Sequence, residues 1–423
     1  MCLALPSVAT SLFCISALVM GCGSSAPRAT LSPTTREGFA DFKKVPDDKP
    51  VISSGSRGWP TFMADPCVIK DEEGYHAFFT NLFFKRNGRP CLSYDPQRQD
   101  EFDTRELLGT VAYAFSSDRG LTWTLRQTPC VMPGPESWNN DALETPFVLK
   151  DGGRLLLFYS ALGSRDGKKF RSRYQIGAAS LELGGRTIRE RLLDESVQFT
   201  KAKEPVLPHN TTSVDHDNNT QEPSVVLRDG KFELFYIGLT LKKPDQQIPG
   251  VSGQAITKVA MYKAVLDRDL HVVRAVDEAL INNANITEVH YRDGVYHVFS
   301  TKSPPWYADY PGRAEQLDRF HHNERITYYR SVDGTTWSKA VTLLERGPED
   351  SFDNWGIMAP TVVFENDHAV MFYTAWQIGN QTMTPLPPDG RFGLRHGQEK
   401  TIWGNLGRAE AAYKPVVEHP ADR

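Results

Sequence analysis

The chain has 423 residues, 40% of them hydrophobic, enough to bury the core of one large all-β domain or of two medium domains. Lys and Arg number 48 against 52 Asp and Glu, a formal net charge of -4, so no basic surplus exists to track a phosphate backbone. The composition therefore argues against nucleic acid as a partner.

The first element in chain order is an apolar run from Leu12 to Met20, too short to cross a bilayer and followed by Gly21-Cys22-Gly23-Ser24-Ser25. It reads as an export signal. Val19-Met20-Gly21-Cys22 resembles a bacterial lipobox, which implies cleavage before Cys22 and a diacylglycerol on its sulfur. The expected location is the cell envelope, periplasmic or surface-exposed, with the lipid as the sole membrane attachment. Ordinary secretion is the alternative, since no Lys or Arg precedes the apolar run. Residues 1–21 are thus assigned to the signal and 22–49, rich in Pro, Ser, Thr and charge, to a flexible tether. Past the signal and Cys22, only Cys67, Cys91 and Cys130 remain, an odd number that permits at most one disulfide. Neither a CxxC pair nor a Cys/His cluster points to zinc.

From residue 50 onward one pattern returns about every 65 to 80 residues. Asp65-Pro66-Cys67-Val68-Ile69 leads to Gly74 and Tyr75 to Thr80. Thr145-Pro146-Phe147-Val148-Leu149 leads to Asp151-Gly152 and Leu155 to Ser160. Glu222-Pro223-Ser224-Val225-Val226 leads to Asp229-Gly230 and Leu234 to Tyr236. Glu288-Val289-His290-Tyr291 leads to Asp293-Gly294 and Val295 to Thr301. Ala359-Pro360-Thr361-Val362-Val363 leads to Asn366-Asp367 and Met371 to Thr374. Each copy reads as a hairpin followed by a third strand, and in the first four by a fourth, more polar segment. Repeated five times, such meanders bury their faces only by closing a ring, so the expected fold is all-β, a single five-bladed β-propeller over residues 50–415 with a tail at 416–423. A monomer is expected. Ser116-Ser117-Asp118-Arg119-Gly120-Leu121-Thr122-Trp123 and Ser331-Val332-Asp333-Gly334-Thr335-Thr336-Trp337 fit the Asp-box turn, a structural device in which the Asp binds its own loop and the Trp packs.

In a propeller the inner strands start around one central funnel, so the residues ahead of each repeated Pro converge. Those residues include Asp65, Thr145 with Glu144 and Asp141 upstream, and Glu222, while Glu288 marks the fourth copy. Carboxylates crowded at an axis repel one another and are retained for chemistry, and hydrolysis of a glycosidic bond needs such a pair, one basic and one kept protonated.

Met63-Ala64-Asp65-Pro66-Cys67-Val68-Ile69 with Gly74-Tyr75-His76-Ala77-Phe78-Phe79-Thr80 resembles the opening blade of glycoside hydrolase family 43, in the clan shared with invertases and levansucrases. The resemblance implies a carbohydrate substrate, carboxylate catalysis with inversion, no required cofactor, and Asp65 as general base. In the family a second-blade Asp before Pro modulates the acid, and a third-blade Glu two places before Pro is the proton donor. Here those places hold Thr145 and Gln221. Glu222 is the candidate acid, Glu144 and Asp141 share the modulator's place, and Glu288 stands in reserve. Trp138, Trp306, Trp355 and Trp376 are candidate stacking faces for sugar rings. The resemblance also admits a calcium ion in the central channel, although no ligand-loop spacing is present. Two other readings stay open: a non-catalytic glycan-binding propeller lipoprotein, and a sialidase-like enzyme suggested by the Asp boxes but lacking the F-R-I-P opening and the sixth blade.

Overall fold

The computed structural model describes residues 38–54, 63–92, 101–163, 174–209, 219–241, 256–302, 325–379, 394–396 and 400–414. Cys22, Trp306, the signal segment and the tail lie outside the described residues. After a short strand β1 (Lys43–Lys44), the chain runs through five antiparallel meanders. The first comprises β2 (Ala64–Lys70), β3 (Tyr75–Arg86), β4 (Arg89–Cys91), β5 (Phe102–Ser116) and β6 (Thr124–Leu125). The second comprises β7 (Ala142–Asp151), β8 (Arg154–Leu162) and β9 (Gln175–Glu182), then the single described helix α1 (Ile188–Leu193) and β10 (Thr200–Lys201). The third holds β11 (Asn219–Arg228), β12 (Lys231–Leu241), β13 (Ile256–Leu266) and β14 (Val272–Asn282). The fourth holds β15 (Ala284–Arg292), β16 (Val295–Lys302), β17 (Arg325–Ser331) and β18 (Val341–Glu345). The last holds β19 (Gly356–Phe364), β20 (His368–Gly379), β21 (Leu394–His396) and β22 (Lys400–Ala412). A single parallel pair, Gly109 with Ala142, fuses the first two meanders into one nine-stranded sheet.

The inner strands β2, β7, β11, β15 and β19 neighbour one another in a closed ring. Apolar faces of successive meanders fill the space between them. Phe158 and Ile176 of the second, for instance, pack with Phe232, Leu234 and Tyr236 of the third. The architecture is thus an all-β propeller, as the repeats imply.

Two sets of hydrogen bonds tie the ring. Each inner strand carries a bulge where two residues oppose one, and the residue on it has a left-handed backbone: Asp65 (φ 52°), Thr145 (48°), Glu222 (57°), Ile286 (39°) and Ala359 (51°). Four of the five precede Pro, which disfavours that region further, so the bend is held against a cost of order 1 kcal/mol each. What holds it is the preceding blade. The amides of Thr145, Glu222, Ala359 and Asp65 donate to Thr80 Oγ1 (2.8 Å), Ser160 Oγ (2.7 Å), Thr301 Oγ1 (2.9 Å) and Thr374 Oγ1 (2.8 Å). These hydroxyls end the Phe-Phe-Thr, Phe-Tyr-Ser, Phe-Ser-Thr and Phe-Tyr-Thr runs of the second strands. In the third blade the corresponding residue is Ile237, which has no hydroxyl, and the amide of Ile286 donates instead to Glu222 Oε2 at 2.6 Å.

A second set lies further along the strands. The amides of Val148, Val289 and Val68 donate to Cys67 Sγ (3.2 Å), Ser224 Oγ (2.8 Å) and Thr361 Oγ1 (3.0 Å), and that of Val362 donates to Glu288 Oε2.

The stretch 38–49, expected to be tether, belongs to the propeller. Phe39 and Phe42 are buried in the core of the last blade, and β1 pairs antiparallel with β22, Lys43 opposite Glu410. Lys44 Nζ lies 2.5 Å from the fully buried carboxylate of Asp353. The domain boundary therefore moves from residue 50 to residue 38 or earlier, because the outer strand of the last blade comes from the N-terminal segment.

The Asp boxes act as turn devices. Asp118 accepts from Thr122 N and Thr122 Oγ1, and Trp123 Nε1 donates to Gly120 O. Asp333 accepts from the amides of Thr335 and Thr336, donors that hold its carboxyl well below the usual range. The three cysteines are free thiols.

Candidate active site

Asp65, Thr145, Glu222, Thr287, Glu288 and Thr361 line one small cavity at the axis, about 30 Å³ in volume. That is room for a water molecule or two and far too little for a sugar ring. The cavity is the floor of the central funnel. The segments 164–173, 242–255, 303–324 and 380–393 lie outside the described residues.

Around this floor the carboxyl groups differ sharply in their surroundings. Burial raises the Asp65 carboxyl to about 6, with a hydrogen bond to the Thr80 side chain opposing the shift. Glu144 is buried on β7, and burial holds its proton well above the usual carboxylate range; the negative charges of Asp65, Glu222 and Asp141 add to the effect. Against them stands one donor, the phenol of Tyr174, which gives a 2.9 Å hydrogen bond to Glu144 Oε2. Glu144 Oε1 is buried without a partner. Asp141 is buried at the entry to β7, its amide donating to Leu162 O at 3.0 Å.

Glu222 differs in facing a set of N–H donors. Oε2 accepts from the amide of Ile286, Oε1 accepts from Gln221 Nε2 at 2.7 Å, and the Asn285 side-chain amide, turned so that its nitrogen faces the carboxylate, donates to Oε2 over 2.9 Å. Part of this carboxylate's task is the hydroxyl's task missing at Ile237.

Glu288 is not at the start of its inner strand. β15 begins at Ala284 and its bulge falls on Ile286, so Glu288 occupies the place of Cys67, Ser224 and Thr361 in the other blades. Without a Pro in this copy, the sequence offers no marker for the bulge. Glu288 is an inter-blade strut, accepting from Thr361 Oγ1 (2.7 Å) and Val362 N, with His290 Nε2 2.9 Å away.

Of the candidate stacking faces, Trp138 is half-buried, and Trp355 and Trp376 are buried. Trp138 stacks on Tyr159 with ring planes 4° apart, and its indole N–H donates to Lys203 O. Gly177 makes room for this stack, since a Cβ there would come within 2.6 Å of the Trp138 ring. Trp376 is 1% exposed and directs its N–H at Met358 Sδ; Trp355 is 5% exposed. Neither ring presents an open face.

The residues of the floor do not fit calcium. The carboxylate oxygens of Glu222 and Glu288 already accept N–H and O–H groups, whereas calcium takes six to eight oxygens. Among the described residues the only group of three His, Cys, Asp or Glu ligand atoms within 4.8 Å of one another is Asp267, Asp269 and His271, on an exposed turn.

No family model matches the chain, and no curated protein matches it. Solved structures do. BT0996, in a complex with RGII, aligns with a TM-score of 0.53 at 12% identity, over 88% of this protein and 94% of that one. Zg3597, a family 117 glycoside hydrolase produced by the marine bacterium Zobellia galactanivorans, aligns at 0.52 and 15% identity, over 90% and 93%. Family 43 glycoside hydrolases also match, among them the GH43_1 enzyme from Xanthomonas citri at 0.43 and 12% identity, over 88% and 92%. The protein shares the fold of BT0996 and of Zg3597 over 88% and 90% of its chain.

Proposed function

We propose that this protein is a glycoside hydrolase that cleaves O-glycosidic bonds of oligo- or polysaccharides, with Asp65 as general base and Glu144 as general acid. The observation that carries the reading is the unlike environment of two neighbouring carboxyls, Asp65 half-buried on the funnel floor and Glu144 fully buried beside it, which separates an ionisable base from a proton-holding acid. Glu144 also stands two places before its proline, the relation that the proton donor of family 43 has to its own, although on the second blade rather than the third. Asp65 takes a proton from a water whose oxygen attacks the anomeric carbon, and Glu144 gives its proton to the departing glycosidic oxygen. Each step leaves one carboxyl to be reset by solvent, and the anomeric centre is inverted. Glu222 supports the floor as a strut. The lipobox at Cys22 would hold the enzyme, as a monomer, at the bacterial cell envelope.

The test is hydrolysis of aryl arabinosides, xylosides and galactosides and of fructans, with the first-formed anomer read by NMR. Asp65→Asn is expected to lower kcat by about 10²–10⁴-fold. Full activity in that variant overturns the assignment of the base. A second reading is favoured by the replacement of the family's two remaining acids by Thr145 and Gln221: a glycan-binding propeller without turnover. Saturable sugar binding by a wild-type chain that hydrolyses nothing would establish it.

A further inference from the structure

Tyr174 sits just ahead of β9, on the joint between the second and third blades. Both of its backbone groups are tied to the neighbouring blade: its amide donates to Asn219 Oδ1 at 2.7 Å, and its carbonyl accepts from the amide of Thr220 at 3.1 Å. Its ring is 5% exposed and packs with Ala142 and Leu162. The phenol therefore has little freedom, and it is fixed on one oxygen of Glu144, leaving the other buried and bare. A carboxyl with one oxygen accepting from a donor keeps that bond strongest when its own hydrogen sits on the second oxygen.

We infer that Tyr174 is the positioning residue for the Glu144 carboxyl, fixing Oε1 as the oxygen that holds and delivers the proton. This rests on the assignment of Glu144 as general acid. The groups acting on Glu144 are Asp65 from β2, Glu222 from β11, Asp141 from its own approach, and Tyr174. Tyr174 is alone among these four in favouring the anion, so its phenol sets how firmly the proton is held as well as where it sits.

Tyr174→Phe keeps the packed ring and removes only the donor. The expected results are an upward movement of the alkaline limb of kcat/KM and a loss of about tenfold in kcat on glycosides with poor leaving groups, the worth of one hydrogen bond to a charged group. Dinitrophenyl glycosides, whose leaving group departs without a proton, should be cleaved at the wild-type rate. Equal losses on both substrate types overturn the inference. A second readout needs no turnover: the Glu144 carboxyl followed by carbon-13 NMR in glutamate-labelled protein, identified by its loss in Glu144→Gln. Titration at higher pH in Tyr174→Phe supports the pairing, and an unchanged titration overturns it. A wild-type chain that hydrolyses nothing but shows the shifted titration removes the hydrolase and keeps the pair.

Discussion

Glu144 and Glu222 lie on neighbouring inner strands, one place apart relative to the bulge, and are both buried. Their surroundings are opposite. Glu222 faces two or three N–H donors that use its charge to span a joint between blades, whereas Glu144 has one phenol on one oxygen and carboxylates around it. The same side chain meets several N–H donors in one place and a single phenol in the other. Partners set the two apart, and burial alone does not.

The comparison breaks most visibly in rate. Glu144→Gln is expected to cost about 10³-fold in kcat on poor leaving groups with little change in melting temperature, and Glu222→Gln far less. Equal losses in the two variants would erase the distinction. Next comes stability. Glu222→Ala leaves the Ile286 amide without its acceptor and should destabilise the fold by about 3 kcal/mol in denaturant titration.

Asp65 provides a smaller effect of opposite sign. Its carboxyl is raised from 3.8 to about 6, so the folded chain holds this proton more tightly than the unfolded one between those values. The stability it contributes is full below that window and falls as pH rises through about 6. Asp65→Asn should therefore be more stable than wild type at pH 7, by up to about 3 kcal/mol, while losing activity. The acid limb of the wild-type rate profile should lie near 6. Smallest is the repair: Ile237→Thr in the Glu222→Ala background restores the hydroxyl that the other four joints have and should recover about 1 kcal/mol. No recovery would mean that the joint is not equivalent to its neighbours.

Five copies of a hairpin, the ring they require and the Asp boxes were legible in local residue patterns, because each is written within a dozen residues. The inner-strand bulge was not. An alternating strand would turn Glu144 and Thr145 to opposite faces, as it would Gln221 and Glu222. With two residues opposed to one, Glu144 stays within reach of the charges of Asp65 and Glu222. The inter-blade hydrogen bonds of Glu288 and Glu222 were hidden for a different reason: their partners, Val362 and Ile286, come from the next blade and carry no mark in sequence. Tyr174 lay ahead of a strand rather than within a repeat. Trp355 and Trp376 read as sugar platforms from their loop-like, Trp-rich settings, yet the last blade buries them.

The pairing of Lys43 and Lys44 with Glu410 and Ala409 has a consequence for how the molecule comes into being. The edge of the final sheet is completed by a segment that precedes all five meanders, so the latch must wait for the last of them. Local hairpins can form as the chain emerges, but the circle stays open, with a bare sheet edge on either side of the gap. Until the two distant pieces meet, those edges are open to strand exchange with other copies of the chain, and the pairing that covers them is the one of highest sequence separation.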